Sequence, residues 1–456
     1  MPESSPQTHL LAYPFPSSGH IIPLIDLTNT LISRGINVTV LLTPSNQTLL
    51  PTNHSPLLQT LILPEPHFPN PNQKRLYTIT TFMRQHHYPI ILNWAHTASP
   101  PPTAIISDFF LAWTHHLAAD LHILRLIFSP SGAYSLCISL SLWRDLPQND
   151  NAEDQNHVVS FSNLPNSPVQ PWWQISTLFR DKRGEPEWET HRENMNLNLE
   201  AWGVVFNSFV ELEQGYIDHV KKELGHERVW VVGPLLLASD TTESEAQVCG
   251  GSSTVPCGDL TGWLDSRVDG SVVYVYFGSR TFLTTSQMEV LTRALELSGV
   301  HFVLSVREQG TVPCGFADRV REWERGLVIE GWAPQVLVLS HRVVGAFLTH
   351  CGWNSVLEGL ASGVVMLTWP MGADQFTNAK LLVDEMGVAV RAAEGTVEVP
   401  DAKEFAKRIA GALGRTEVRV RTKELREVVV GAIKKGGSSY NQLDGFVKEL
   451  NELKNE

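Results

Sequence analysis

Residues 332–375 read WAPQVLVLSHRVVGAFLTHCGWNSVLEGLASGVVMLTWPMGADQ, and this stretch carries the most informative pattern in the sequence. Its apolar run from Val343 to Leu348 is typical of a buried strand, and a helix is predicted to begin near Asn354. A short turn containing Gly352 separates the two. Because the first-turn N–H groups of a helix lack partners within the helix and carry partial positive charge, this junction predicts a site for an anion.

A second interpretation of the same helix start is purely local. Residues 355–358 read S-V-L-E, the pattern of a capping box, in which the serine and glutamate side chains satisfy backbone donors of the first turn. Around the turn, however, polar and aromatic residues are dense. Core packing does not require Asp374 and Gln375 just beyond the second buried run, Val364 to Trp369, and their presence favours a binding site.

The whole stretch resembles, without a gap, the signature box of the plant secondary-product glycosyltransferases, the UDP-sugar-dependent family 1 enzymes. This resemblance implies an α/β protein of the GT-B fold, with two Rossmann-like domains facing across a cleft. It also implies an inverting, metal-independent transfer of glucose from UDP-glucose to a hydroxyl of a small phenolic acceptor. Over nearly the whole chain, the sequence is similar to glucosyltransferases of flavonols and hydroxybenzoates, which favours a flavonoid acceptor at its 7- or 3-hydroxyl. No cofactor is implied beyond UDP-glucose as co-substrate.

The resemblance also gives roles to individual residues of the box and to Ser279, which precedes it. It places the uracil against Trp332 and Ala333, the ribose against Gln335 and Glu358, the diphosphate against Ser279, His350, Gly352, Asn354 and Ser355, and the sugar against Trp353, Asp374 and Gln375. In the family, glutamine at the closing position together with tryptophan at the position of Trp353 usually accompanies UDP-glucose. A rhamnosyl- or xylosyltransferase is the alternative within the family.

Two candidate catalytic residues lie in the N-terminal half. His20 closes the segment PFPSSGH, residues 14–20, before a helix predicted from Ile21 with a proline in its first turn. Asp108 follows the apolar run Thr103 to Ser107. On position alone His20 is a surface or capping residue and Asp108 a helix N-cap. The resemblance instead makes His20 the general base, since an imidazole can accept a hydroxyl proton at neutral pH, and Asp108 the carboxylate that supports it.

The acceptor is predicted to lie beside this pair of residues. Phe15, Ser18, Phe109 and Phe110 are the candidate contacts, although phenylalanine is more often a core residue and that alternative stays open. Residues 145–196 are polar and loop-rich with embedded aromatic residues. They predict either a lid over an apolar acceptor or a solvated excursion.

The length of 456 residues is too large for one core and suits two domains. The predicted organisation is an acceptor-binding domain at 1–238, a Ser/Thr/Gly-rich linker at 239–254, a UDP-sugar-binding domain at 255–435, and a helix at 436–456 that returns to the first domain. The proline-rich stretch from Leu63 to Tyr77 is shorter than the matching loop of close relatives, which makes their acceptor preference a weaker guide to this chain.

Composition excludes several other classes of function. A net charge of −13 argues against a nucleic-acid surface, and five scattered cysteines without a C-x-x-C pattern argue against zinc or structural disulfides. The sequence shows neither a signal peptide nor a membrane span, so a cytoplasmic monomer without membrane insertion is expected. A non-catalytic UDP-sugar-binding protein is the rival from another class. Such a protein could dispense with His20 and Asp108.

Overall fold

The computed structural model describes residues 8–50, 55–66, 76–151, 153–235, 254–307, 310, 312–397 and 399–453. The chain forms two compact units: unit 1 is Met1–Ser239 with Ala432–Glu456, and unit 2 is Asp240–Gly431. Nearly all of the predicted linker, 239–253, and residues 67–75 of the proline-rich stretch lie outside the described residues.

Unit 1 is built on a seven-stranded parallel sheet. Its strands are β1 (His9–Tyr13), β2 (Asn37–Leu42), β3 (Leu58–Ile62), β4 (Ala104–Asp108), β5 (Leu124–Ser129), β8 (Gly203–Phe206) and β9 (Val229–Val231), and β6 (Val158–Ser160) and β7 (Val169–Pro171) form a separate antiparallel hairpin. The strand order is β3-β2-β1-β4-β5-β8-β9. The order reverses between β1 and β4, and in such sheets ligands bind beyond the carboxyl ends of the strands at this point.

Helices cover both faces of this sheet. They are α1 (Ser18–Ser33), α2 (Leu76–Ala95), α3 (Thr114–Asp120), α4 (Ala133–Asp145), α5 (Thr177–Arg180), α6 (Pro186–Asn196) and α7 (Val210–Leu224), with 3₁₀ turns at Pro44–Leu49, Phe109–Leu111, Trp172–Gln174 and Leu197–Glu200. One apolar cluster packs α1 against β1, β2 and β4, and a second fills the opposite face under α2 and α3.

Unit 2 repeats the design with six parallel strands. Its strands are β10 (Val272–Tyr276), β11 (His301–Val306), β12 (Gly326–Glu330), β13 (Val344–Thr349), β14 (Val365–Thr368) and β15 (Ala389–Arg391), in the order β12-β11-β10-β13-β14-β15. Its helices are α8 (Cys257–Asp265), α9 (Thr285–Ser298), α10 (Phe316–Glu322), α11 (Gln335–Ser340), α12 (Trp353–Ser362), α13 (Gln375–Lys380), α14 (Ala402–Leu413) and α15 (Thr416–Ile433), with a π turn at Leu381–Glu385. The predicted α/β class with two Rossmann-like units is confirmed.

The last helix, α16 (Ser438–Glu452), belongs to unit 1. Its apolar face, with Phe446 fully buried, joins the core under α1. The Phe446 ring lies 4.9 Å from that of Trp230, and the Ser439 hydroxyl donates to the Gly233 carbonyl at 2.6 Å. The end of the chain therefore completes the core of the unit in which the chain begins.

Two local predictions were wrong. Helix α1 begins at Ser18 rather than Ile21, because the backbone N–H groups of His20 and Ile21 already donate to the Ser17 carbonyl at 2.8 and 2.9 Å, and Pro23 therefore lies beyond the first turn. Of the two alternatives for residues 145–196, the solvated excursion is wrong, since they contain the packed helix α6, whose Trp188 is 2% exposed. The lid over an acceptor stays a prediction.

Candidate active site

His20 and Asp108 meet at the carboxyl edge of the unit 1 sheet, where the strand order reverses. His20 lies in the first turn of α1, and Asp108 is the last residue of β4. The imidazole Nδ1 and the Asp108 Oδ2 are 2.6 Å apart, and the exposed fractions of the two side chains are 18% and 0%. Because a carboxylate only accepts, Nδ1 carries the proton and Nε2 keeps its lone pair. This geometry is that of a general base held by a buried carboxylate.

Asp108 also performs the capping role that its position predicts. Its Oδ1 accepts from the backbone N–H of Phe110 at 3.0 Å and caps the 3₁₀ turn, while Oδ2 binds His20. The two interpretations of Asp108 are therefore compatible, because a carboxylate has two oxygens. The cap fixes the direction of the oxygen that holds the imidazole.

Three phenylalanine rings surround the imidazole. Phe110 stacks on His20 with ring centroids 5.4 Å apart and 27° between planes, and Phe109 stacks at 6.1 Å. Phe15 meets His20 edge-on at 5.5 Å but is only 1% exposed, so it supports the ring from the core side. Phe110 is half-buried, as is Ser18, the first residue of α1. Phe110 is thus the aromatic surface that an acceptor beside His20 can contact.

Residues far along the chain hold the turn of residues 108–111, and sequence reasoning missed them. Asn198 donates to the Phe109 carbonyl and Asn194 to the Phe110 carbonyl, each at 2.9 Å. Asn198 in turn accepts from the buried guanidinium of Arg125 at 2.9 Å. No local sequence pattern marks these residues, because each acts across more than 70 positions.

Arg125 is a buried cation next to this turn. It is 3% exposed, and its Nε donates to the hydroxyls of Thr114 at 3.0 Å and Ser107 at 3.2 Å. Burial lowers the pKa of Arg125 to about 9, and the negative charge of Asp108 opposes that shift. The guanidinium therefore remains charged at neutral pH and has Asp108 as a counter-charge.

In unit 2, the loops after β10 and β13 meet at the corresponding edge of the sheet. A Cβ at Gly278 would lie 2.4 Å from the His350 Nε2, and one at Gly352 would lie 2.5 Å from the same atom. Gly278 also has φ of +74°, a conformation that favours glycine. Two glycines therefore leave the room that the imidazole occupies, at the start of α12.

The His350 imidazole is neutral and has an unused nitrogen. Burial lowers its pKa to about 4. Its Nδ1 is buried and has no hydrogen-bond partner among the described residues. A neutral imidazole at a helix N-terminus, beside Gly352 as the N-cap, can offer one N–H to an anionic oxygen.

The capping-box interpretation of residues 355–358 is wrong. The N-cap of α12 is Gly352, which has no side chain to accept from the backbone N–H groups of the first turn. Ser355 and Glu358 instead face α11, where the Gln335 amide donates to the Ser355 hydroxyl at 3.0 Å and to the Glu358 carboxylate. The helix begins earlier than the pattern requires, so its serine and glutamate are used between helices.

Asp374 and Gln375 follow β14 and precede α13. The Gln375 Oε1 accepts from the N–H groups of Met371 at 2.8 Å and Gly372 at 3.1 Å, so its NH₂ end is the one directed to other partners. Asn378, which sequence reasoning also missed, donates to Asp374 at 3.0 Å and to the Cys351 carbonyl at 2.9 Å. This amide ties the loop after β14 to the loop after β13.

The other predicted donor-site residues lie at the same edge of the unit 2 sheet. Trp332 is half-buried and Ala333 is 5% exposed, and both lie in the loop between β12 and α11. Trp353 and Asn354 are the first residues of α12. Ser279 is half-buried and follows Gly278. The structure thus brings all twelve residues to the carboxyl ends of the strands of one sheet. Within the described residues, no group of three or more His, Cys, Asp or Glu side chains is arranged to hold a metal ion.

Comparison with known proteins identifies the family. A sequence model of the family "UDP-glucoronosyl and UDP-glucosyl transferase" matches residues 246–409. The flavonol 3-O-glucosyltransferase UGT89B1 of Arabidopsis thaliana is 44% identical over 472 aligned residues, which cover 97% of this chain and 96% of the relative. The chain belongs to the UDP-glycosyltransferase family. It is a UDP-glycosyltransferase, as the signature box predicted.

Solved UDP-glycosyltransferase structures share its fold. UGT89C1 of Arabidopsis thaliana complexed with UDP-L-rhamnose is 36% identical, with a TM-score of 0.78 over 97% of this chain and 99% of the other. UGT71G1 of Medicago truncatula complexed with UDP-glucose is 25% identical, with a TM-score of 0.83 over 98% of each chain. None of the described helices has the length and apolar composition that crossing a membrane requires.

Proposed function

We propose that this UDP-glycosyltransferase transfers glucose from UDP-glucose to a hydroxyl of a flavonoid, with inversion at the anomeric carbon and without a metal. The observation that carries the proposal is the contact of 2.6 Å between His20 and the fully buried Asp108. It leaves Nε2 as a base in the half-buried, aromatic setting that a planar phenol requires. A protein that only bound UDP-sugars would not need this arrangement.

In this mechanism unit 1 supplies the base and unit 2 holds the donor. His20 removes the proton of the acceptor hydroxyl, and the resulting oxygen attacks the anomeric carbon as the bond to UDP breaks. The departing diphosphate accepts hydrogen bonds from His350 and the first-turn N–H groups of α12. General-base help is worth about 10²- to 10⁴-fold in rate, and alignment of the two substrates contributes roughly 7–11 kcal/mol.

Glucose is the preferred donor because of the fixed groups that close the box. Gln375 presents its NH₂ end and Asp374 a carboxylate held by Asn378, a donor and an acceptor suited to neighbouring sugar hydroxyls. The 44% identity to a flavonol 3-O-glucosyltransferase supports this choice. Rhamnose is the second candidate, since a flavonol 7-O-rhamnosyltransferase of Arabidopsis thaliana is 36% identical over 97% of this chain.

The test is a matrix of UDP-sugars and acceptors. Purified protein is incubated with UDP-glucose, UDP-galactose, UDP-xylose or UDP-rhamnose and with quercetin, and products are identified by mass spectrometry and NMR. A β-linked glucoside of quercetin is the expected main product. A rhamnoside as main product would contradict the donor assignment, and no product with any donor would support the binding protein.

The variant His20→Ala tests the role of the base. It is expected to lower kcat by about 10²- to 10⁴-fold while leaving the Kd for UDP within about twofold. His116→Ala, at an exposed histidine of the same unit, is the matched control. Activity of His20→Ala within threefold of the wild type on a weakly acidic phenol would refute the assignment.

A further inference from the structure

A crevice in unit 1 has a polar floor that the proposed mechanism does not use. It lies between α2 and α6, with about 20 Å³ of free volume, room for one polar group or one water. Exposed Thr81, Arg84 and Thr190 surround its mouth. Trp113 and His191 line its floor and are 1% and 3% exposed.

The floor carries buried polar atoms without partners. Among the described residues, neither nitrogen of His191 has a hydrogen-bond partner, and neither has the Nε1–H of Trp113. Two polar neighbours in the crevice do have partners, since Thr80 donates to the Tyr77 carbonyl at 3.0 Å and Thr190 donates to the Pro186 carbonyl at 2.9 Å. An unpaired buried polar group destabilises the folded chain, so such a cluster points to a partner that binds there.

The unpaired groups match a neutral hydroxyl. Burial lowers the pKa of His191 to about 3, so its imidazole is neutral and offers one donor and one acceptor. The indole N–H of Trp113 can only donate. A hydroxyl can accept from the indole N–H of Trp113 and donate to the unprotonated nitrogen of His191, whereas a carboxylate can only accept and would leave that nitrogen unpaired.

The crevice is fixed relative to the catalytic pair. The ring of Phe110 stacks on His20 at 5.4 Å and also lies 6.3 Å from the ring of His191, so the two imidazoles lie within about 12 Å of each other. Asn194, one turn after His191 on α6, accepts from the backbone N–H of Trp113 at 2.7 Å and donates to the Phe110 carbonyl at 2.9 Å. One helix therefore sets the distance between the base and the floor of the crevice, a span that a three-ring polyphenol can cover.

We propose that His191 and Trp113 bind a second hydroxyl of the acceptor, remote from the one that His20 deprotonates, and so select polyphenols over phenols with a single hydroxyl. This inference rests on the proposed function, because it places the acceptor beside His20. Phe110 is the aromatic surface between the two contact points. His191 and Trp113 are specificity-determining residues that contact the substrate without taking part in bond making.

The test compares a polyhydroxylated acceptor with two monohydroxylated acceptors on the same skeleton. Quercetin carries hydroxyls on both ends of the molecule, whereas 7-hydroxyflavone and 3-hydroxyflavone carry one each. The variant His191→Phe keeps an aromatic ring and removes both nitrogens. It is expected to lower kcat/KM for quercetin by about tenfold, mainly through a higher KM, because quercetin loses a hydrogen bond. For whichever monohydroxyflavone the wild-type enzyme uses more efficiently, kcat/KM should stay within about twofold of the wild-type value, because that acceptor has no second hydroxyl to lose a contact.

Further variants separate recognition from folding. Trp113→Phe is also expected to lower kcat/KM for quercetin. His191→Gln keeps a donor and an acceptor, so its kcat/KM for quercetin is expected to lie between those of His191→Phe and the wild type. His116→Phe, the same substitution at an exposed histidine, should leave kcat/KM unchanged for quercetin and for the monohydroxyflavones. Circular dichroism and thermal melts verify that each variant is folded.

Two results would overturn the inference. An equal loss on quercetin and on the monohydroxyflavone would show that His191 only supports the fold. No loss on either acceptor would show that water satisfies the crevice. Failure of the proposed function looks different, because the wild-type enzyme would then leave all three flavonoids unglycosylated.

Discussion

The substitution Asp108→Asn tests the central feature of unit 1, a carboxylate that serves two donors. In the wild type one oxygen accepts from the Phe110 N–H at 3.0 Å and the other from the His20 Nδ1 at 2.6 Å. A carboxamide has one oxygen and one NH₂ group, so it can accept from only one of them. If it keeps the cap, its NH₂ faces Nδ1, and the imidazole must turn that nitrogen into an acceptor and carry its proton on Nε2.

The expected effect on rate follows from this change of tautomer. With the proton on Nε2, His20 no longer has a lone pair for the acceptor hydroxyl, and the general-base contribution of about 10²- to 10⁴-fold is lost from kcat. Asp108→Asn also removes the counter-charge of Arg125, which is 3% exposed. A buried charge without its partner costs about 3–5 kcal/mol, so the free energy of unfolding should fall by a similar amount.

The assay measures both quantities and uses His20→Phe as the control. Initial rates are followed by liquid chromatography with a weakly acidic phenol, because an acidic phenol ionises without help, and stability is measured by urea unfolding. His20→Phe should lose activity but keep most of its stability, since Asp108 and Arg125 remain paired, whereas Asp108→Asn should lose both. Asp108→Asn with kcat within threefold of the wild type would refute the base assignment, and unchanged stability would refute the counter-charge.

Two further predictions concern other parts of the chain. Gly278→Ala should lower the free energy of unfolding by about 1–3 kcal/mol more than Gly299→Ala does, and it should raise the KM for UDP-glucose roughly tenfold. Both glycines have positive φ (+74° and +70°), but only a Cβ at Gly278 would meet His350, at 2.4 Å from its Nε2. Equal urea midpoints for the two variants and an unchanged KM would contradict this prediction. Burial raises the pKa of Asp26 from 3.8 to about 7, so the folded chain binds one more proton than the unfolded chain between these pH values. The contribution of Asp26 to the free energy of unfolding is therefore fully present below pH 3.8 and is lost as the pH rises to about 7. Asp26→Asn should therefore raise the free energy of unfolding at pH 8 by about 1–3 kcal/mol and leave it nearly unchanged at pH 3.5, as urea unfolding at the two pH values would reveal.

The strands were predictable because both faces of a parallel sheet are buried. Such strands read as continuous apolar runs, and the runs predicted at Val343–Leu348, Val364–Trp369 and Thr103–Ser107 lie within one residue of β13, β14 and β4. Helix α6 was missed for the opposite reason. Its sequence PEWETHRENMN contains two large apolar residues, and its buried face is completed by the polar side chains of His191 and Asn194. A hydrophobic period cannot reveal a face that is half polar.

The signature box shows where a sequence pattern stops being informative. The pattern S-V-L-E was correctly associated with a helix start, but a capping box requires the serine to precede the helix. The structure starts α12 at Trp353, because Gly352 takes the N-cap, and Ser355 then lies inside the first turn. A shift of three residues turns a local cap into a contact with Gln335, and only the fold determines which of the two forms.

The support of the Asp108 turn could not be predicted from the sequence at all, because it depends on a balance of charge across distant segments. A buried arginine is costly unless a negative charge and several acceptors surround it. Arg125 has acceptors from Ser107, Thr114 and Asn198, and the negative charge is that of Asp108. The same carboxylate therefore offsets the arginine and orients the base. One buried side chain thus meets both demands, so a change at position 108 affects the environment of Arg125 and the orientation of His20 together.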